Sequence, residues 1–379
     1  MRKLIIPMML ACALPGFAAT GADGLGRSFQ KLRKSGKLNV GYLGGSITAG
    51  SGASKPNETS YRGLTTRWFR EQFPNAEITE INAAIGGTGS DLGAFRCQRD
   101  LLNGQPDLVF VEFAVNDGGA KEGRVMRSME GIVRQIWRAN ADADIVFLYT
   151  INRNSMAQTY DRGELPLTVQ WHNRIAAAYR IPTLNIGETL WRAVHDGKEQ
   201  WEKMLPDNVH PSDAGYEIYM RQIRPFLAAH SRDKKSKPRK VLPKPLSPDS
   251  FENAQMVDAL DVAAEGWTRD DPALAKRFPH SISADKPGTE LKFKFKGSAI
   301  GLFWIIAPDS GDIEWSIDGS APKRASSWDS YALRFTRTNY VIFSDSLAAS
   351  EHELTIRVLA EKKAESTGTW IRIGSILVG

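Results

Sequence analysis

Leu38-Asn39-Val40-Gly41-Tyr42-Leu43-Gly44-Gly45-Ser46-Ile47-Thr48 runs a short apolar stretch directly into two glycines and a serine. Leu38–Gly44 has the length and composition of a buried strand, and the glycine pair lets the backbone turn sharply at its end. Four runs of the same kind follow: Ala76–Ala83, Asp107–Ala114, Asp144–Thr150 and Thr183–Ile186. Amphipathic stretches between them predict helices over Tyr61–Phe73, Ser90–Leu102, Arg124–Ala139, Leu167–Tyr179 and Ser212–Ala229. Strands alternating with helices predict an α/β unit with a largely parallel sheet. Ligands of doubly wound sheets bind beyond the carboxyl ends of the strands, so the residues just after each strand are the candidates for function.

Past residue 250 the texture changes. Glu290-Leu291-Lys292-Phe293-Lys294-Phe295-Lys296 alternates strictly between charged and apolar residues, the pattern of a half-buried strand. Ala299–Ile306, Ile313–Ile317, Tyr340–Phe343, His352–Leu359 and Trp370–Val378 follow, with turn signals such as Asp318-Gly319 between them. The expectation for residues 249–379 is an all-β sandwich, jelly-roll-like in type. A chain of 379 residues has room for two such cores, and 42% hydrophobic with 24% charged residues is an ordinary globular composition.

Four short motifs stand where chemistry is expected. Ser46 is delivered at a strand end with its hydroxyl and its own N–H exposed, although Gly-Gly-Ser is also common turn chemistry. After the second strand, Ile85-Gly86-Gly87-Thr88-Gly89-Ser90 lets a backbone N–H approach a reacting oxygen without a side chain in the way. A dinucleotide fingerprint does not fit there, because Gly87-x-Gly89-x-x-x-Gly93 has one residue too many and follows the second strand. The third strand ends in Ala114-Val115-Asn116-Asp117-Gly118-Gly119, where Asn116 can offer a side-chain N–H to an oxyanion. Asp207-Asn208-Val209-His210-Pro211 places a carboxylate three residues before an imidazole, a spacing that can fix Nδ1 and aim Nε2 at a serine. A capping Asp beside a surface His is the plain alternative.

Taken together, these blocks resemble in order and spacing those of the SGNH hydrolases, also called GDSL-type esterases, over residues 37–229. The resemblance implies a flavodoxin-like doubly wound sheet in a catalytic domain spanning 23–231. It also implies Ser46 as nucleophile, His210 as base and Asp207 as its orienter. The oxyanion hole would be the Ser46 N–H, the Gly87 N–H and the Asn116 side chain. Two positions depart from the family's blocks: Gly45 stands for the Asp of Gly-Asp-Ser, and Ala114 for the Gly of Gly-x-Asn-Asp. Neither supplies a triad or oxyanion group. An SGNH domain joined to a sandwich further resembles secreted bacterial carbohydrate acetylesterases, which implies an acylated carbohydrate as substrate and no cofactor. Rival readings are a lipase or lysophospholipase-like acyl hydrolase and a non-catalytic glycan-binding protein. Trp304, Trp315, Trp328 and Trp370 are candidates for stacking on sugar, with burial in the sandwich core as the alternative.

Met1-Arg2-Lys3 followed by the apolar run Leu4–Phe17 and small residues is the layout of a signal peptide, expected over residues 1–22, with a periplasmic or extracellular mature protein. A second export reading makes Cys12 the lipidated residue of a lipoprotein. No later run has the length of a membrane span. With Cys12 removed, Cys97 is the remaining thiol, and its expected place is a buried helix position. The net charge of +6 is concentrated between Ser231 and Pro248, where seven basic residues face one acidic residue among several prolines. Residues 232–248 therefore read as an extended, solvated linker, and the remainder, near neutral, gives no reason to expect nucleic acid. The remaining histidines, His172, His195, His230, His280 and His352, are scattered without metal-ligand spacing, so no metal is expected.

Overall fold

The computed structural model describes residues 23–233, 242–262, 265–269, 278 and 280–379. The expected signal peptide with Cys12, and residues 234–241 of the expected linker, lie outside the described residues.

The N-terminal unit runs α1 (Gly26–Ser35), β1 (Lys37–Gly44), α2 (Ser46–Ala49), α3 (Pro56–Thr59), α4 (Tyr61–Gln72), β2 (Glu77–Ala84), α5 (Ser90–Asp100), β3 (Leu108–Glu112), α6 (Glu122–Ala139) and β4 (Asp144–Leu148). It continues through α7 (Gln158–Asp161), α8 (Leu167–Tyr179), β5 (Thr183–Leu184), α9 (Ile186–His195), α10 (Trp201–Met204) and α11 (Asp213–His230). The sheet is parallel throughout, in the order β2-β1-β3-β4-β5. Every residue of β3 and β4 is buried, which is why these strands are continuous apolar runs and not alternating ones. The strand order reverses at β1 and β3, and the carboxyl ends of these two strands form the crevice where such sheets bind ligands.

The third and fourth expected strands are trimmed to Leu108–Glu112 and Asp144–Leu148, and the fifth is cut to half its expected length. Thr183–Ile186 pairs only at Thr183 and Leu184, because Asn185 caps the next helix. The Asn185 side chain accepts the Glu188 N–H at 3.2 Å and donates to the Glu188 carboxylate at 2.9 Å, an N-cap that draws Ile186 into α9.

The C-terminal part is all β. One antiparallel sheet has the order β13-β10-β15-β8-β7 with β6 also on β15, and the other β12-β11-β14-β9. The strands are β6 (Gln255–Asp258), β7 (Thr268–Arg269), β8 (Ile282–Ala284), β9 (Glu290–Gly297), β10 (Ile300–Ile306), β11 (Asp312–Ile317), β12 (Lys323–Ser326), β13 (Arg337–Ser344), β14 (Ser350–Val358) and β15 (Ile371–Val378). Leu291, Leu302, Trp304, Ile313, Ile356 and Ile373 share the core of this sandwich.

The sandwich packs against the N-terminal unit. Phe251, Phe278, Phe303, Ile305 and Leu377 belong to the apolar core of the N-terminal unit, and the Phe251 ring lies 5.4 Å from that of Phe95 on α5. The segment expected to be a free linker is held at both described ends. Leu246 and Ser247 donate their backbone N–H groups to the buried Glu130 carboxylate on α6 at 2.6 and 2.8 Å, and Arg134 donates to the Pro243 carbonyl at 2.7 Å. Asp233 is held by His230 at 2.7 Å. The charge run hides this because the anchoring uses backbone amides and a carboxylate more than a hundred residues upstream. A buried carboxylate needs such donors.

Candidate active site

The crevice is built on the turn that follows β1. Ser46 opens α2, and three side chains far apart in sequence fix that short helix. Arg96 of α5, fully buried, donates to the carbonyl of Gly44 at 2.9 Å and to that of Ala83, tying together the ends of β1 and β2. Arg62 of α4, also buried, reaches the carbonyls of Thr48 at 3.2 Å and Ala49 at 3.4 Å. The Tyr216 hydroxyl lies between the carbonyls of Ile47 and Ser51, at 2.9 and 2.8 Å. A four-residue helix leaves most of its carbonyls without intrahelical partners, and these donors satisfy them.

His210 Nε2 lies 2.8 Å from Ser46 Oγ, and His210 Nδ1 lies 2.6 Å from Asp207 Oδ2. The other carboxylate oxygen accepts the N–H groups of Val209 at 3.0 Å and His210 at 2.7 Å, so the Asp-x-x-His spacing closes a compact turn around one side chain. Asn208 takes the left-handed conformation this turn requires, φ 69°, which Asn tolerates better than most residues. Partial desolvation acts to raise the Asp207 carboxyl, but these bonds to His210 and Val209 outweigh it and hold the group below the usual carboxylate range.

The two other blocks converge on the same place. A Cβ on Gly86 would stand 3.5 Å from Ser46 Cβ, so the turn after β2 lies against the serine. Gly87 has φ 74° and nothing within 4 Å of where a Cβ would be: it is an open, exposed position whose backbone favours glycine. A Cβ on Gly45 would fall 2.1 Å from Asn116 Oδ1, so the Asn116 amide lies directly over the residue before Ser46. The departure at Gly45 thus has a physical reason, since any side chain there would displace Asn116. Ala114, the second departure, is buried, and Thr168 donates to its carbonyl at 2.8 Å.

A second Asp–His–Ser cluster shows what distinguishes the first. On the sandwich, His352 Nδ1 meets Asp318 at 2.6 Å and Nε2 meets Ser350 Oγ at 3.2 Å, but Nε2 also lies 2.9 Å from the Ala348 carbonyl. A carbonyl can only accept, so that nitrogen must carry a proton and cannot serve as a base. The Asp318 and Ala348 acceptors accordingly raise the His352 pKa. His172, His230 and His280 each pair with an Asp as well, at 2.8, 2.7 and 3.1 Å, in structural contacts. His195 stacks on Trp191 with the ring centroids 4.6 Å apart.

Beneath the turn that carries Ser46 sits a residue that no motif singled out. Glu112, the last residue of β3, is fully buried, and accepts from Thr150 at 2.7 Å and from Thr48 of α2 at 3.2 Å. Burial pushes its carboxyl up to about 7 despite these hydrogen bonds. Below the ordinary carboxylate range both folded and unfolded chains hold this proton. As the pH rises toward 7 the unfolded chain releases it first, so stability on the order of 3 kcal/mol is lost across that window. Glu112→Gln cannot ionise, and its stability relative to the wild type should rise between pH 5 and pH 8 by about that amount in urea unfolding. Parallel pH profiles for the two proteins would contradict this assignment.

The tryptophans considered for sugar stacking are mostly core residues: Trp304 is 2% exposed and Trp315 9%. Trp328 packs on the sandwich core, and Trp370 is half-buried with the Arg372 guanidinium 5.2 Å above its ring. Among the described residues, the exposed aromatic residues of the sandwich are instead Tyr331 and Phe335, in the segment that leads into β13. Cys97 is buried on α5, and burial pushes its thiol up to about 12. No helix among the described residues is long and apolar enough to cross a membrane.

No curated protein sequence matches the chain. Two solved structures are similar along nearly its whole length. One is a two-domain esterase (CEX) active on acetylated mannans, co-crystallised with mannopentaose: 25% identical, TM-score 0.78, covering 94% of this chain and 95% of that one. The other is the same esterase described without that ligand: 24% identical, TM-score 0.79, with the same coverage. The family model for GDSL-like lipases and acylhydrolases matches residues 42–218, a span that holds Ser46, Gly87, Asn116, Asp207 and His210. The N-terminal unit thus holds a GDSL-like lipase/acylhydrolase domain, a carboxylic ester hydrolase unit whose sequence blocks converge here on one crevice.

Proposed function

We propose that the chain is an exported serine esterase that removes acetyl groups from carbohydrate. Ser46 is the nucleophile, His210 the general base and Asp207 the group that orients it. The observation that carries this reading is the unbroken chain from Asp207 through His210 to Ser46, at 2.6 and 2.8 Å, at the carboxyl ends of the central strands. Ser46 Oγ bonds to the ester carbon as its proton passes to His210 Nε2, and the alcohol leaves with that proton. A water then attacks the acyl-enzyme, giving one proton to His210 and releasing acetate as Ser46 is restored. The Ser46 N–H, the Gly87 N–H and the Asn116 amide hold the oxygen that becomes negative in each half-reaction.

The acetyl and carbohydrate parts of the proposal are supported by the likeness to the acetylated-mannan esterase, which extends over both parts of the chain. Export is supported by the charged and apolar leader in residues 1–22. Acetate release from acetylated mannan, measured beside acetyl, butyryl and palmitoyl aryl esters, tests the reading. Acetyl esters should be preferred over butyryl by about ten-fold or more in kcat/KM, since each extra methylene must fit the acyl pocket. A preference for palmitoyl esters would favour the lipase alternative and defeat the deacetylase.

A further inference from the structure

Strand β13 lies at the edge of its sheet and alternates between two cores. Val341 and Phe343 pack into the sandwich, whereas Tyr340 and Ile342 pack against the N-terminal unit. The Tyr340 hydroxyl donates to Asp91 Oδ1 at 2.7 Å, across 249 residues of sequence. Asp91 is the second residue of α5 and is 8% exposed; the same oxygen accepts the Leu92 N–H at 2.8 Å, and Arg124 stands 3.8 Å from its other oxygen. Directly before it, the Ser90 N–H is held at 2.8 Å by Asp117, which is itself bonded to the buried His172 at 2.8 Å.

These groups close around Gly89. A Cβ there would fall 2.9 Å from Asp117 Oδ1, 3.1 Å from Asp91 Oδ1 and 3.8 Å from the Tyr340 hydroxyl. Gly87 lies two residues before this clamp, and Asn116 is the neighbour of Asp117. Two buried carboxylates flanking one backbone position repel each other unless each keeps its donors. Burial, with the Asp117 charge adding to it, raises the Asp91 carboxyl, and the Tyr340 hydroxyl is the donor that offsets this from outside the N-terminal unit.

We propose that Tyr340 is a positioning residue for the ester-hydrolysing site, holding the Gly86–Gly89 turn through Asp91 so that the β-sandwich is a working part of the active site. The proposal rests on the reading of Ser46, Gly87 and Asn116 given above. It does not require the sandwich to touch substrate. That distinction sets the test.

Tyr340→Phe removes one hydroxyl and keeps the ring. With 4-nitrophenyl acetate, which has no sugar for the sandwich to touch, kcat should fall roughly ten-fold with KM changed by less than about two-fold, a smaller loss than that of an oxyanion donor itself. Asp91→Ala should lose about as much, Asp91→Asn less because it keeps an acceptor, and Tyr340→Phe combined with Asp91→Ala no more than the larger single loss. If Tyr340→Phe loses its cooperative unfolding transition, Asp91→Ala carries the same test with the sandwich sequence intact. Wild-type kcat in Tyr340→Phe, or a loss confined to KM on acetylated polysaccharide, overturns the proposal. Ser46→Ala in the same assay separates the two levels: full turnover there overturns the underlying reading, whereas an inactive Ser46→Ala beside a fully active Tyr340→Phe overturns only the role of Tyr340.

Discussion

Ser46→Ala is expected to lower ester turnover by at least about 10⁴-fold, with His210→Ala close behind and the double variant scarcely worse than either. The non-additivity follows from the geometry. Ser46 Oγ and His210 Nε2 share one hydrogen bond at 2.8 Å, and either alone has nothing to exchange a proton with. Residual turnover would come from the oxyanion donors and from binding, which both single variants retain. The fold should survive, because α2 is held by Arg62 and Tyr216 through backbone carbonyls and not through the serine side chain. Thermal unfolding and kcat/KM on an aryl acetate, measured side by side, check both halves of this expectation.

Asn116→Ala should lower kcat by about 10² to 10³-fold and leave KM nearly unchanged, the signature of a donor whose bond strengthens only as the oxygen becomes negative. The same loss should follow from a change that leaves Asn116 in place. Gly45→Ala adds a methyl group 2.1 Å from Asn116 Oδ1, so the amide must leave its position over the turn that carries Ser46. If both variants raise KM and spare kcat, Asn116 contacts the ground-state substrate and is not part of the oxyanion hole.

The strands of the N-terminal unit were legible because both faces of β3 and β4 are covered, which leaves an apolar run that no surface segment would carry. The site was legible to the same depth. Each group proposed to touch the reacting atoms stands beside a strand end or at the start of the last helix, where local motifs mark it. The supports were not legible. Arg96 reaches the Gly44 carbonyl across 52 residues and Tyr216 reaches Ile47 across 169, and nothing local to either residue signals that partner. Glu112 reads as one polar residue in an apolar strand, and only the fold shows that Thr48 and Thr150 meet it in the dark of the core. The anchoring of Leu246 and Ser247 is hidden for a related reason: the backbone amides that bind Glu130 leave no trace in composition.

The distance between motif and support also explains the place of the sandwich. A sequence divided into a catalytic unit and an appendage suggests separable modules. Shared burial of Phe251, Phe303 and Leu377, and the Tyr340–Asp91 bond next to the turn that carries Gly87, argue for one working body.

Covalent labelling is the most direct test of the nucleophile. The protein is treated with 4-nitrophenyl diethyl phosphate, an activated ester that transfers its phosphoryl group to a nucleophilic serine, and the modified residue is located by peptide mass spectrometry. A single diethylphosphoryl group on Ser46 is expected, with loss of esterase activity in step with labelling and no labelling in His210→Ala on the same timescale. Complete inactivation with Ser46 unmodified, or labelling of another residue in step with the activity lost, would contradict Ser46 as the nucleophile.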